Sequence, residues 1–395
     1  MSRRGELDAI IVGGGAIGAA LALGLARDGL DVALVEARAP KPWRADDEVD
    51  LRVVALAADA RALFEDLGVW NAIADARVGP YRRMRVWDAL APGELTFDAA
   101  EYGEAALGWI IENRLIQHAL WQAVEAGRNA RVVCPGEVAS IENGAEGVEA
   151  VLADGTRLRA RVAIAADGAE SPVRAMLGIG ANGRDYVQRG VVANVATARE
   201  HEHTAWQRFL PTGPLAFLPL ADGRCSIVWT LPDTEAARVL ALDDAAFRAE
   251  LGAAFDFRLG EITATTARAA FPLRMRLADR YASGRVALAG DAAHVVHPLA
   301  GQGMNLGFRD VACLRRVLRD ANARGGDIGA AHVLRRYERE RRSENALAAR
   351  GLDAISRLFG ATDPVTPKLR GAGLAIVDRL APVKHVFAAI AEGRI

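Results

Sequence analysis

Cysteine is nearly missing from this chain. Cys134, Cys225 and Cys313 are its three in 395 residues, far apart, odd in number and without a C-x-x-C pair. A disulfide framework or structural zinc site is thereby disfavoured, and a reducing, cytoplasmic setting is the expectation. Excess charge is missing too. Forty-nine basic residues against fifty acidic ones leave a formal net charge of −1, with no electrostatic reason for a nucleic-acid partner. No repeat, low-complexity tract, serine–histidine–aspartate arrangement or metal-ligand cluster stands out. One uncharged stretch, Ala9–Ala26, holds a glycine cluster and follows Asp8 directly. It reads as strand, turn and buried helix rather than as a signal peptide or membrane span. What is present is an ordinary globular composition, 51% hydrophobic and 25% charged, in a chain long enough for two domains.

Leu7–Val12 is a short apolar run suited to a buried parallel strand, Ala16–Arg27 a buried helix and Asp31–Glu36 a second strand, together a βαβ unit. Val53–Leu67 and Ile110–Ala126 carry apolar residues at helical spacing, with Trp121 on a packed face. Between them and the C-terminus the chain turns β-rich. Val132–Val138, Val148–Leu152 and Arg157–Ala166 are punctuated by Asn143-Gly144 and Asp154-Gly155 turns. Tyr186–Thr197, Thr204–Leu210, Leu215–Leu220 and Arg224–Leu231 follow as successive strands, and Arg285–Ala289 returns to the buried style. Gly303–Ala323 and Ala331–Phe359 are long helices. The expected architecture is α/β: a Rossmann-like domain built from residues 1–75, 105–180 and 275–325, an inserted β-sheet domain from 76–104 and 181–274, and a helical region over 326–395.

Gly13-Gly14-Gly15-Ala16-Ile17-Gly18 fits G-x-G-x-x-G after a strand and at the opening of a helix. Gly13 makes the tight turn, Gly15 lets the backbone approach a pyrophosphate, and Gly18 allows helix and strand to pack closely. The phosphates then meet the free N–H groups of the helix start. Glu36, ending the second strand, is placed to accept hydrogen bonds from ribose hydroxyls, which favours FAD or NAD over NADP. A second match, Gly178–Gly183, has no strand before it and no βαβ unit after it, and reads as a loop. Asp167 in RVAIAADG and Asp291 in RVALAGD each end an apolar strand at the usual ligand edge of a parallel sheet. Taken singly, either one reads equally well as a turn or helix cap.

Together the three motifs resemble the fingerprints of the class A flavoprotein monooxygenases, whose prototype is p-hydroxybenzoate hydroxylase. His297-Pro298-Leu299-Ala300-Gly301-Gln302-Gly303-Met304-Asn305-Leu306-Gly307, ending at Asp310, is similar to the signature of the ubiquinone-biosynthesis hydroxylases. So are Asp50–Gly68, Ile111–Arg114, Ala205–Leu220 and Phe271–Leu273. The resemblance implies a p-hydroxybenzoate hydroxylase-like fold with FAD bound and NADH or NADPH visiting. It assigns Asp291 to the ribitol and Asp167 to both flavin and nicotinamide. Arg52 and Asn113 fall at flavin-contacting positions, although a surface salt bridge is a rival reading of Arg52. Gly301, Gly303, Met304 and Asn305 form a helix start aimed at the flavin, whose positive end would stabilise a reduced, anionic ring. His297 is a candidate for substrate contact or proton relay. Pro298 is expected to act through its carbonyl near the reacting edge of the flavin.

The implied reaction spends NAD(P)H and O₂ to place one oxygen atom on an electron-rich ring, the other leaving as water, with the protein orienting the ring and excluding water. The implied substrate is a polyprenylated phenol or quinone precursor. Such a molecule lives in a membrane, so a peripheral contact at its inner face or within a biosynthetic complex is part of the expectation. Leu374–Ile390 is one candidate segment for that contact, with core packing as its alternative. Other readings are a hydroxylase of a different aromatic compound and a non-catalytic FAD-binding accessory subunit. A halogenase lacks its W-x-W-x-I-P string here. Oligomeric state and the hydroxylated ring carbon leave no mark in the sequence.

Overall fold

The computed structural model describes residues 7–297 and 301–361, with Asp363 and Thr366 beyond them. Leu7–Val12 and Val32–Val35 are apolar throughout because helices cover both sheet faces; Ile10, Ile11, Ala33 and Leu34 are fully buried. They lie in an eight-stranded sheet whose central five strands are parallel. Val286–Leu288, Arg157–Ala165, Leu7–Val12, Val32–Val35 and Ala130–Val133 follow one another across it. Helix Ala16–Arg27 packs here with almost every residue buried, which its alanines and glycines permit. The Asn143-Gly144 and Asp154-Gly155 turns join Val138–Asn143, Val148–Leu152 and Arg157–Ala165 into an antiparallel addition to this sheet.

A second sheet has nine strands. Its order runs His294–Val295, Ala269–Ala278, Ala181–Thr197, Cys225–Pro232, Gly213–Pro219, Thr204–Leu210, Arg83–Asp88, Glu94–Asp98, with Ile262–Thr265 on a side path. It carries its own core, in which Phe217 and Phe255 stack at 3.7 Å and Trp87 packs edge-on to Trp206. The long helix Ala331–Gly360 bridges the sheets. Tyr337 hydrogen-bonds the carbonyl of Leu288 at 2.7 Å, while Phe359 stacks on Phe209 at 3.8 Å.

Four readings change. Val53–Leu67 is a strand, Val53–Leu56, followed by helix Ala58–Asp66. Ile110–Ala126 is likewise strand Gly108–Glu112 followed by helix Asn113–Glu125. The two β-branched starts pair with each other, Val53 opposite Glu112 and Val54 opposite Ile111, a contact that helical spacing does not reveal. Val132–Val138 is two strands separated at Pro135 and Gly136. The loop read over Gly178–Gly183 holds only to Gly180. Ala181, Asn182 and Gly183 begin a seventeen-residue strand, and a Cβ on Gly183 would sit 1.8 Å from the Met275 carbonyl. That antiparallel edge is no dinucleotide turn.

Candidate functional site

The register of the parallel sheet aligns its strand ends. Val12 lies beside Ala165 and Val35, and Ala165 beside Leu288. Hence Gly13–Gly15, Asp167, Glu36 and Asp291, each just past its strand, share one edge. The three glycines do different things there. Gly13 has φ +101°, and a Cβ would meet the Ala166 carbonyl at 2.4 Å; a Cβ on Gly18 would lie 1.8 Å from the Gly13 carbonyl. Both are required by packing. At Gly15 a Cβ would meet nothing within 4 Å, so only Gly15 faces free space.

The polar groups along this edge are only partly used. Glu36 accepts from the N–H groups of Gly14 at 2.5 Å and Arg38 at 3.0 Å, bracing the turn that it was expected to leave for a ribose. One oxygen of Asp167 caps the following helix through Val173 N–H at 3.1 Å. The other is buried and has no partner among the described residues, so the cap uses one oxygen and leaves the second free. Burial pushes its carboxyl pKa up, against Ser171 and Val173, which lower it. Asn113 likewise has a buried carboxamide oxygen with no partner among the described residues, at the start of its helix. Glycine turn, open space and orphaned acceptors suit a dinucleotide bearing hydroxyl donors.

Helix Asn113–Glu125 contributes more than packing. Gln117 and Trp121 both donate to the Gly14 carbonyl, at 2.8 and 2.6 Å. With Asn113 they fall at i, i+4 and i+8, one helical face, and that spacing was readable in the sequence. Beside them the buried Glu112 accepts from Asp50 N–H at 2.8 Å and from Arg77 at 2.9 Å, ordering the segment that carries Arg52.

Beyond Asp291 the edge opens into a cavity of about 670 Å³. Arg52, Asp291, His297, Gly301, Gly303, Met304 and Asn305 line one side, and the second sheet forms the other. Gly13, Gly15, Gly18, Glu36, Asn113 and Asp167 lie outside it, along the sheet edge, and Pro298 lies outside the described residues. Arg52 is exposed and has no ion-pair partner among the described residues, contrary to the salt-bridge reading. Gly301 stands at φ +65° and caps a helix running Gln302–Ala323, one residue earlier than the expected start at Gly303. Asn305 is occupied: its oxygen accepts from Ala57 N–H at 3.0 Å and its amide donates to the Ala55 carbonyl at 2.9 Å. Only its backbone is left for a ligand.

His297 is buried beside this cavity, and neither ring nitrogen has a partner among the described residues. Burial lowers its pKa to about 4, Asp353 opposing weakly. Its ring meets Tyr186 edge-on at 4.9 Å, and Tyr186 donates to Asp353 at 2.9 Å. His294, by contrast, is committed to structure. Its Nε2 lies 2.6 Å from the fully buried Asp310, which also accepts from Gly290 N–H at 3.0 Å and from Arg341 at 2.8 Å. Burial pushes the Asp310 carboxyl up, but His294 and Arg341 outweigh it and hold the pKa below its ordinary value. Arg341 comes from the long C-terminal helix, a contact that nothing local in the sequence announces.

A family model described as an FAD binding domain matches residues 6–350. The chain is 39% identical to 3-demethoxyubiquinol 3-hydroxylase of Escherichia coli K12 over 95% of each chain. It is 36% identical to ubiquinone hydroxylase UbiL of Rhodospirillum rubrum, covering 98% of this chain and 90% of that one. The crystal structure of p-nitrophenol 4-monooxygenase PnpA from Pseudomonas putida DLL-E4 superposes with a TM-score of 0.79 at 20% identity, covering 99% of both chains. That likeness is one of fold.

Proposed function

The chain belongs to the FAD-binding-domain family of flavin-dependent aromatic monooxygenases, and from that premise we propose that it hydroxylates the ring of a polyprenylated phenol or quinol precursor of ubiquinone. The observation that carries the substrate reading is the cavity. Beyond the side that the flavin would occupy, Met84, Phe97, Leu218 and Phe271 give it apolar walls suited to a ring and its isoprenoid chain.

When bound, FAD reduced by NADH or NADPH activates O₂ and supplies the oxygen atom that enters the ring. In this proposal the open space at Gly15 admits the pyrophosphate, and the free oxygens of Asp167 and Asn113, with Asp291, take hydroxyl and ring N–H donors. The backbone N–H groups at the start of helix Gln302–Ala323 would help to hold the flavin ring and favour negative charge on it. Arg52, exposed and without an ion-pair partner among the described residues, adds positive charge. Pro298, next to His297, is assigned to the reacting edge by family resemblance. The apolar cavity walls exclude water. His297, neutral near pH 7 and facing the cavity with no ring-nitrogen partner among the described residues, is assigned a hydrogen bond to the substrate rather than the work of a base.

Among the described residues no helix is long and apolar enough to cross a membrane. A polyprenylated substrate resides in a bilayer, so the proposal includes a peripheral contact at the inner membrane face or with neighbouring enzymes of the pathway. The Leu374–Ile390 candidate lies outside the described residues. The test is deletion of the gene in its host, with quinones and their precursors identified by mass spectrometry. Accumulation of a prenylated precursor one ring hydroxyl short is the expected result. Unchanged quinones with a different aromatic compound accumulating would overturn the substrate class.

A further inference from the structure

The floor of the cavity is one face of the antiparallel sheet, and its chemistry is unusually bare. Cross-strand register aligns Gln207, Ala216, Val228, Val192 and Ala269 in a single row over five strands. All five line the cavity. Four are small and apolar, which keeps the floor low and leaves room for a planar ring. The fifth is a carboxamide.

Gln207 is 6% exposed, and its side chain forms no hydrogen bond with any described residue. Its neighbours on the strand turn the other way. Trp206 packs against Trp87 and Phe255, and Arg208 donates to the Ala254 carbonyl at 2.9 Å. Backbone alternation therefore commits Gln207 to the cavity side. Its amide opens onto the cavity without a protein partner among the described residues, so a ligand seated there can take up its hydrogen bonds. The adjacent row pairs Gly190 with Thr230 and Phe271; a Cβ on Gly190 would lie 2.8 Å from the Phe271 ring, so that ring lies across the glycine and walls the floor.

We propose that Gln207 anchors the ring oxygens of the substrate and sets specificity for a neutral ring bearing a hydroxyl beside a second oxygen. This rests on the hydroxylase reading above and adds the substrate feature that is read. A carboxamide accepts from a hydroxyl and donates to an adjacent ether or carbonyl oxygen at once, a two-point match that a lone hydroxyl or a hydrocarbon ring cannot make. Being uncharged at every accessible pH, it also selects the un-ionised phenol. Gln207 then holds the ring from the sheet side while His297 faces it from the opposite wall.

The experiment uses full-length protein loaded with FAD and two probes, a short-chain prenylated 2-methoxyphenol and the same compound lacking both ring oxygens. Binding is read from the perturbation of flavin absorbance, for wild type, Gln207→Leu and Gln207→Asn. Wild type is expected to favour the oxygenated probe by about 10- to 100-fold, and Gln207→Leu to lose about tenfold or more of that preference with flavin content unchanged. Gln207→Asn, which keeps the amide one methylene short, should fall between them. A Gln207→Leu protein that retains wild-type discrimination overturns the assignment while leaving the hydroxylase reading intact. Failure of wild type to bind either probe overturns both.

Discussion

The two sheets build their halves of the site by opposite means. The parallel sheet uses strand ends: Gly13–Gly15, Glu36, Asp167 and Asp291 are backbone turns and short carboxylates just past four aligned strands. The antiparallel sheet uses its face: Gln207, Thr230, Ala216 and Val192 project from the middles of strands into the cavity. A strand-end site tolerates little change in its backbone, because turn and packing are the same atoms. A sheet-face site exchanges side chains over an unchanged ladder, which suits a surface that defines substrate while the edge holds a constant cofactor.

The strongest way to break this contrast is at the edge's buried support. Asp310→Asn removes the buried one of the two carboxylates that pair with Arg341, leaving the more exposed Glu344, and weakens the hold on Gly290 and His294. A loss of about 3–5 kcal/mol in urea unfolding is expected, with poor flavin retention. Next come the glycines. Gly18→Val places carbon against the Gly13 carbonyl and should cost about 3 kcal/mol or more. Gly15→Ala should leave the stability of the flavin-free protein unchanged and lower flavin affinity, because its Cβ meets no protein atom. Equal destabilisation by both would mean that Gly15 serves packing rather than a ligand.

At the boundary between the two halves, pH separates His297 from its surroundings, Tyr186 and Asp353. Folding lowers its pKa from 6.5 to about 4, so the unfolded chain binds the proton first. Stability contributed by the neutral ring is present above about pH 6.5 and is lost as pH falls through the window down to about 4. Between pH 7.5 and 5 this group alone should account for about 2 kcal/mol, and His297→Phe should remove that slope. Arg52→Ala should change stability by no more than about 0.5 kcal/mol, because the side chain is exposed and has no ion-pair partner among the described residues. Its flavin affinity should nevertheless fall about tenfold.

The contrast also explains what the sequence disclosed. Strand-end chemistry is contiguous, so GGGAIG, the DG of Asp167 and the GD of Asp291 could be read as strings, with the fold class following from the apolar runs around them. Sheet-face chemistry is dispersed. Gln207 acquires meaning only when register sets it beside Ala216 and Val228, and Arg341 only when a distant helix delivers it to Asp310. The strands Val53–Leu56 and Gly108–Glu112 were obscured for the same reason, each being short and stabilised by a partner more than fifty residues away. Pro135 and Gly136 did mark the break in Val132–Val138.

The central claim is that a flavin held at the parallel edge oxygenates a ring lying on the antiparallel floor. The direct measurement supplies FAD-loaded protein with NADH or NADPH, ¹⁸O₂ and a short-chain prenylated 2-methoxyphenol, and weighs the product. One ¹⁸O atom incorporated into the ring of the product is the expected result. Full flavin occupancy with NAD(P)H consumed solely to peroxide, or not at all, across prenylated phenols would contradict it and leave a flavin-binding protein without hydroxylase activity.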